Sequence, residues 1–333
     1  MPLALPADAL ARRAVAILTT LPVAGALTAW GIYGLGSYGL ALFALTPLLI
    51  GFLAAVVNGY GRTATRVEAT VTAFLALGLF TAGLVLFAVE GLICIAMAAP
   101  LAVLFTWLGA VAGHAAADRH RGGSLLTVGV LLVAIPLLSS AERGSPPPAE
   151  PVTTRVVVAA PPERVWREVV AFSPLPEPDE WLFRLGIAYP IDATIAGTGV
   201  GAVRHCNFNT GSFVEPVTVW DPPHRLAFDV RQQPVPLREI SFWDVDAPHL
   251  HDFFVSRRGE FRLTAREDGT TLLEGTTWYY HDLRPAFYWR WWSNAIVHAI
   301  HARVLNHVRS EAEKSPAPAS APKHGPRDSG FSQ

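Results

Sequence analysis

The chain has 333 residues, 51% of them hydrophobic and only 16% charged, with a mean hydropathy of +0.32 and a formal net charge of −1. Ordinary soluble domains carry about 25% charged residues, so part of the chain belongs in a membrane, and the near-neutral balance argues against a nucleic-acid partner. Two cysteines, Cys94 and Cys206, fall one in each half, so neither half can build a disulfide framework or a thiolate metal site alone.

Charges are sparse from Ala14 to Ser140, and from Glu150 onward the composition is that of a soluble protein. The first part, 1–141, reads as an α-helical membrane bundle. A helix crosses the hydrocarbon core with roughly 20 apolar residues. Five segments approach that length: 14–35, 38–58, 67–89, 92–114 and 122–141. The first is too long for the apolar core of a cleaved signal peptide. Arg12 and Arg13, Arg62 and Arg66, and Arg119 and Arg121 all fall on one side of such a bundle. The bias of basic loops toward the cytoplasm then places the N-terminus inside and the globular half on the periplasmic or extracellular side. The Ala-, Gly-, Pro- and Arg-heavy composition goes with a bacterial inner membrane.

Glu90 opens "EGLICIAMAAPL" at the mouth of the fourth span, where hydration at the outer interface is expected. No span carries a buried acid–base pair, so the bundle reads as an anchor rather than a transporter. "ERGSPPPAEP", residues 142–151, reads as a stiff polyproline spacer. The Pro/Ala/Ser-rich end, 313–333, has no apolar periodicity and is expected to be disordered.

Residues 152–312 read as an α+β domain. A β-branched strand is followed by "APPERVW", a helix start with proline in the first turn. An antiparallel meander follows, with turns at "NTG", "WDPP" and "EDGT", and one long helix runs from about Pro285 to Glu311. The expected packing lays that helix across the concave face of a curved sheet. Three stretches, "AAPPERVWREVV", "VTVWDPPHRLAFDV" and "GEFRLTAREDGTTLLEGTTWY", resemble the SRPBCC superfamily. This is the START-like, helix-grip group that includes the polyketide cyclase/dehydrase and lipid-transport families. The resemblance covers about half the chain and implies a deep cavity between sheet and C-terminal helix. It does not select a function, because the group holds binders, carriers and enzymes alike.

On the last helix, Val297, Ile300, Val304 and Val308 form an apolar stripe, with Arg290, Asn294 and His301 on or beside it. His301 reads either as a hydrogen-bonded core histidine or as a ligand contact. A hairpin closed by "NTGS" would set Cys206 opposite Glu215 and Phe208 opposite Phe213, with Arg204 on the Glu215 face. The sequence leaves open whether that face is concave. The candidate cavity set is therefore Arg204, Phe208, Phe213, Glu215, Trp243, Trp278, Tyr280, Arg290, Asn294, Val297 and His301. No metal site and no cofactor are expected: His298 and His301 lack further ligands at any recognisable spacing, and the pair His249 and His251 reads as solvated. The meander is interrupted by about twenty residues around Phe242 and Trp243, a length that suggests a cavity lid or a membrane-facing tip.

Three functions fit these residues. The first is a membrane-anchored binding module whose partner is a lipid, polyketide-like or other hydrophobic small molecule. The second is a cyclase or dehydratase with His301 or Glu215 as general base and Arg204 or Arg290 stabilising an enolate. The third is a structural or interaction protein with a filled cavity. The oligomeric state is not legible.

Overall fold

A computed structural model of the protein describes residues 6–119, 121–142 and 147–314, without the side chains of 118–125. An apolar helical bundle precedes a curved antiparallel sheet with a long C-terminal helix. The bundle comprises α1 (Ala9–Ala29), continued by a π-helical turn Trp30–Gly34, then a π turn Ala41–Leu45 leading into α2 (Thr46–Gly59). It is completed by α3 (Arg66–Leu86), α4 (Leu92–Arg119) and α5 (Arg121–Ala141).

Among the described residues four helical segments, 9–34, 41–59, 66–86 and 92–117, are long and apolar enough to cross a membrane. The described apolar part of α5, Leu126–Ala141, is shorter. Even so, α5 packs Leu131, Ile135 and Leu138 against Leu27, Leu45, Leu49 and Leu53. It ends at Glu142, whose Oε1 accepts the Leu40 N–H at 2.7 Å. At the opposite end of the bundle Arg12 donates to the Tyr60 carbonyl at 2.5 Å. There, "RTATRVE" starts α3 with a capping box: Thr65 and Glu68 exchange side-chain to backbone bonds at 3.0 and 3.2 Å. The arginine-bearing turns thus lie at one end of the bundle and the globular domain at the other.

Lipid supplies no hydrophobic drive between helices, so close approach of small residues holds them together. Ala24, Ala54, Ala73, Ala76 and Ala110 form one such buried cluster. Where α2 and α4 cross, a methyl group on Gly51 would run into the Thr106 carbonyl oxygen, and one on Gly109 into that of Leu48.

The globular domain runs β1 (Glu150–Val158), α6 (Pro162–Val170), α7 (Trp181–Arg184), β2 (Pro190–Ala196), β3 (Val203–Phe208), β4 (Gly211–Asp221) and β5 (Arg225–Asp229). It closes with β6 (Phe254–Ala265), β7 (Thr271–His281) and α8 (Ala286–Glu313). The seven strands are all antiparallel, in the order β1-β7-β6-β5-β4-β3-β2. The proline-rich spacer expected at 142–151 lies partly outside the described residues, while Glu150 and Pro151 already pair in the sheet; of the tail expected at 313–333, Glu313 still belongs to the last helix and everything from 315 lies outside the described residues.

The core between sheet and α8 is built from Leu226, Leu263, Leu273, Leu305 and Val308, each 2% exposed or less. Burying each such side chain contributes roughly 1.5–3 kcal/mol. Trp166 of "ERVW" meets Trp220 of "VWDPP" edge to face at 5.6 Å between ring centroids. His301 ties α8 to two strands: its Nδ1 lies 3.2 Å from the Thr154 hydroxyl on β1 and its Nε2 2.8 Å from that of Thr277 on β7. Burial, with the charge of His298 adding to it, lowers the His301 imidazole from 6.5 to about 4.

Two outcomes follow from this packing. Gly51→Val and Gly109→Val overpack a backbone crossing and are each expected to destabilise the full chain by about 1–3 kcal/mol, read as a lower midpoint of thermal unfolding in detergent. For His301, the unfolded chain binds a proton below about pH 6.5 that the folded chain refuses until about pH 4, so stability falls as pH falls through that window. The expected loss from this residue is about 2 kcal/mol between about pH 7 and pH 5, and His301→Gln should flatten the measured pH dependence by that amount. Parallel curves for wild type and variant would rule out a histidine held neutral by its surroundings.

Candidate functional site

Two cavities bear on function, and the larger is not the one between sheet and helix. The sheet–helix cleft has a volume of only about 110 Å³. Arg204, Phe208, Phe213, Glu215, Val297 and His301 line it. Arg204 and Glu215 face each other directly across β3 and β4 and form an ion pair, 1% and 5% exposed. The guanidinium also donates to the Val170 carbonyl at 3.3 Å and lies over the rings of Phe228 and Phe172 at 5.2 and 5.5 Å. Burial raises the Glu215 carboxyl against the opposing pull of Arg204. Burial would lower the Arg204 guanidinium, but Glu215 outweighs it and the group stays charged. Burial also drives the neighbouring Cys206 thiol up to about 12.

The hairpin is tighter than the expected one: Cys206 pairs with Phe213, Arg204 with Glu215, and Phe208 with Gly211. The register moves by two residues, and because strand side chains alternate with period two the inward face is unchanged. The concave face is the one carrying Arg204 and Glu215.

The other candidates lie elsewhere. Trp278 and Tyr280 alternate with the inward Tyr279 and stack under Arg258 and Arg257 at 4.8 and 5.2 Å. Asn294 accepts the Tyr279 hydroxyl at 2.5 Å. Arg290 pairs with Glu150 at 2.7 Å, both about half exposed. Trp243 is 55% exposed and Phe242 90% exposed, at the tip of the long segment between β5 and β6.

That segment, 230–253, covers the head of α4. Leu237, Val245, Ala247 and Leu250 pack with Phe183 and Ile187 against Ile93 of the bundle. Beneath it lies the larger cavity, about 400 Å³, at the junction of bundle and globular domain. Its walls include Ile50 of α2, Phe74 and Leu77 of α3, Ala98 and Ala102 of α4, Leu237 and Leu250 of the segment, and Trp289 and Ile296 of α8. Its polar groups include Tyr38, Glu90, Cys94 and His249, with the hydroxyls of Thr28, Thr46, Thr81 and Ser293 elsewhere on the lining.

Sequence reading placed none of the first four in a cavity. Glu90 is not hydrated at an interface but 8% exposed, with Oε1 at 3.6 Å from Nδ1 of His249. His249 is not a solvated loop histidine: its side chain is 10% exposed and its Nε2 lies 3.0 Å from Cys94 Sγ. Glu239 completes the group, one carboxylate oxygen accepting the Ile93 N–H at 3.2 Å at the start of α4. Burial pushes the Glu90 carboxyl up to about 8 and the His249 imidazole down to about 4. The legible signals were an acid and a cysteine four residues apart at a helix start, and an acid and a histidine within one long loop.

No family model matches the chain, and no curated protein does. Solved structures similar to part of this chain include a protein from Nitrosospira multiformis, 20% identical over 49% of this chain and 95% of that one, with a TM-score of 0.32. XoxI from Bacillus cereus is 15% identical over 48% of this chain and 93% of that one, with a TM-score of 0.32. Norcoclaurine synthase from Thalictrum flavum, in complex with dopamine and hydroxybenzaldehyde, is 14% identical over 50% of this chain and 90% of that one, with a TM-score of 0.33. Scores of this size license no transfer of ligand or chemistry to this chain.

Proposed function

We propose that the protein is a membrane-embedded binding module, SRPBCC-like in its globular half, that holds a lipid or other elongated hydrophobic molecule at the junction of its two halves. The observation that carries this is the 400 Å³ cavity, walled by both the bundle and the globular domain. Its volume falls in the usual range for small-molecule sites, roughly 300–1,000 Å³. The apolar part of its lining reaches Ile50 and Leu77, within the buried core of the bundle. A molecule with an apolar chain and a small polar end fits that gradient from bundle to domain. The sheet–helix cleft is a weaker host, because aromatic rings and the Arg204–Glu215 pair fill it. Orientation belongs to the same proposal: with every basic turn inside, the globular domain lies on the outer side, and α5 serves as a fifth span.

Native mass spectrometry of the full chain, extracted from its own membranes, is expected to show a bound mass that denaturation removes. Ala98→Phe, which fills the cavity, should abolish that mass and leave the chain folded. An apo wild type that takes up nothing from a total lipid extract would overturn the proposal. Glu215→Ala separates the two cavities: stranding Arg204 is expected to cost about 3–5 kcal/mol of stability while the bound mass persists below the unfolding temperature. For orientation, Phe242→Cys should react with a membrane-impermeant maleimide in intact cells, whereas Gly61→Cys should react only after lysis.

A further inference from the structure

We propose that Glu90, Cys94, Glu239 and His249 form a binding site for a divalent transition-metal ion of the Zn²⁺ class, clasping the globular domain to the bundle. One donor atom from each lies within 4.8 Å of the others. Tetrahedral coordination at Zn–S of about 2.3 Å and Zn–N or Zn–O of about 2.0–2.2 Å requires donors roughly 3.3–3.8 Å apart, so a closure of about 1 Å completes the sphere.

The second observation is the state of these groups without an ion. Glu90 is more than nine-tenths buried with the Tyr38 hydroxyl beside it, and its Oε2 makes no hydrogen bond of ordinary geometry. Glu239 Oε1 and His249 Nδ1 are likewise buried and make no hydrogen bond of ordinary geometry, with the Cys94 thiol beside the one and Glu90 Oε1 at 3.6 Å from the other. Among the described residues neither carboxylate forms an ion pair with Lys or Arg. A buried carboxylate that keeps its charge is ordinarily paired or bound to a metal, and otherwise takes up a proton. Helix capping accounts for one oxygen of Glu239, through the Ile93 N–H, and leaves the other aimed at the cluster. Gly91 makes room for it, since a side chain there would occupy the space of the Glu239 carboxylate.

The donor set selects the ion. Ca²⁺ and Mg²⁺ take oxygen ligands, whereas a thiolate with an imidazole favours Zn²⁺ among available divalent ions. Four protein donors close the coordination sphere, as in structural sites. Two of them come from the head of α4 and its preceding turn, and two from the 230–253 segment. The ion therefore fixes the loop that walls the junction cavity, whether or not that cavity is occupied.

The full chain carrying Cys206→Ala keeps Cys94 as its only thiol. Stripped with a chelator in detergent, it should bind Zn²⁺ in a one-to-one ratio and shield Cys94 from alkylation. Co²⁺ in place of Zn²⁺ should give a thiolate-to-metal charge-transfer band in the near ultraviolet. Cys94→Ser should abolish the band, and His249→Ala should weaken Zn²⁺ binding at least ~100-fold, the upper range for loss of outer-shell partners. Zn²⁺ should slow proteolysis within 230–253 in the parent and not in these variants. Should the variants misfold, the parent decides alone: Co²⁺ binding without the thiolate band, or alkylation of Cys94 unaffected by Zn²⁺, overturns the site.

Discussion

The turn between α3 and α4 must send the chain back into hydrocarbon within a few residues, and the globular domain covers it where water would otherwise lie. The first N–H groups of a helix have no partner within the helix, and polar groups left unpaired away from water are costly. Here the 230–253 segment supplies those partners: the Ile240 carbonyl accepts the Leu92 N–H at 3.2 Å and Glu239 accepts that of Ile93. The exchange runs both ways, since Tyr38 of the bundle accepts the Arg284 N–H at 3.0 Å and the Tyr288 hydroxyl donates to the Met97 carbonyl. Docking of the two halves is thus a hydrogen-bonding requirement of the bundle as well as apolar contact. It also explains why the sheet carries so long an insertion between β5 and β6.

The same requirement moves the larger cavity. A curved sheet gripping a long helix leaves space between them, and here that space is taken by side chains. Arg204 enters it with its charge met by Glu215 and its faces covered by Phe172, Phe228 and Phe261. A buried guanidinium held this way leaves little room for a ligand. The free volume lies instead past Trp289 and Ile296 of α8, where the sheet domain faces the bundle. There the walls come from two surfaces that meet only in the assembled chain.

The fold was largely legible. Uncharged runs of membrane length, arginines at alternate turns, β-branched alternation and "WDPP" punctuation each report a local rule, and local rules suffice to place helices and strands. The β3–β4 hairpin shows the limit: two residues of register were lost, yet the inward face of Arg204 and Glu215 survived because the strand period is two. Trp278, Tyr280, Asn294 and Arg290 were grouped with the cleft on composition and helical angle, and their positions depend on pairings that no local pattern encodes. The junction cluster was illegible for a further reason. Cys94 and His249 are 155 positions apart, and each looks ordinary in its own half. Glu90 looked like an interfacial carboxylate because nothing in its neighbours announces that a loop from the other domain will cover it.

That dependence on assembly bears on what each half can do by itself. Residues 150–314 contain the whole sheet, α8 and the Arg204–Glu215 pair, so the globular core needs nothing from the membrane to satisfy its buried charges. The 230–253 segment is different, because Leu237 and Leu250 bury themselves partly against Ile93 and its neighbours. Separated from the bundle, that apolar surface would face water, at about 25 cal/mol per Å² exposed. The bundle in turn would uncover Glu90 and the head of α4. Each half therefore keeps its secondary structure for local reasons, while the cavity and the carboxylate–thiol–imidazole cluster exist only where the halves meet.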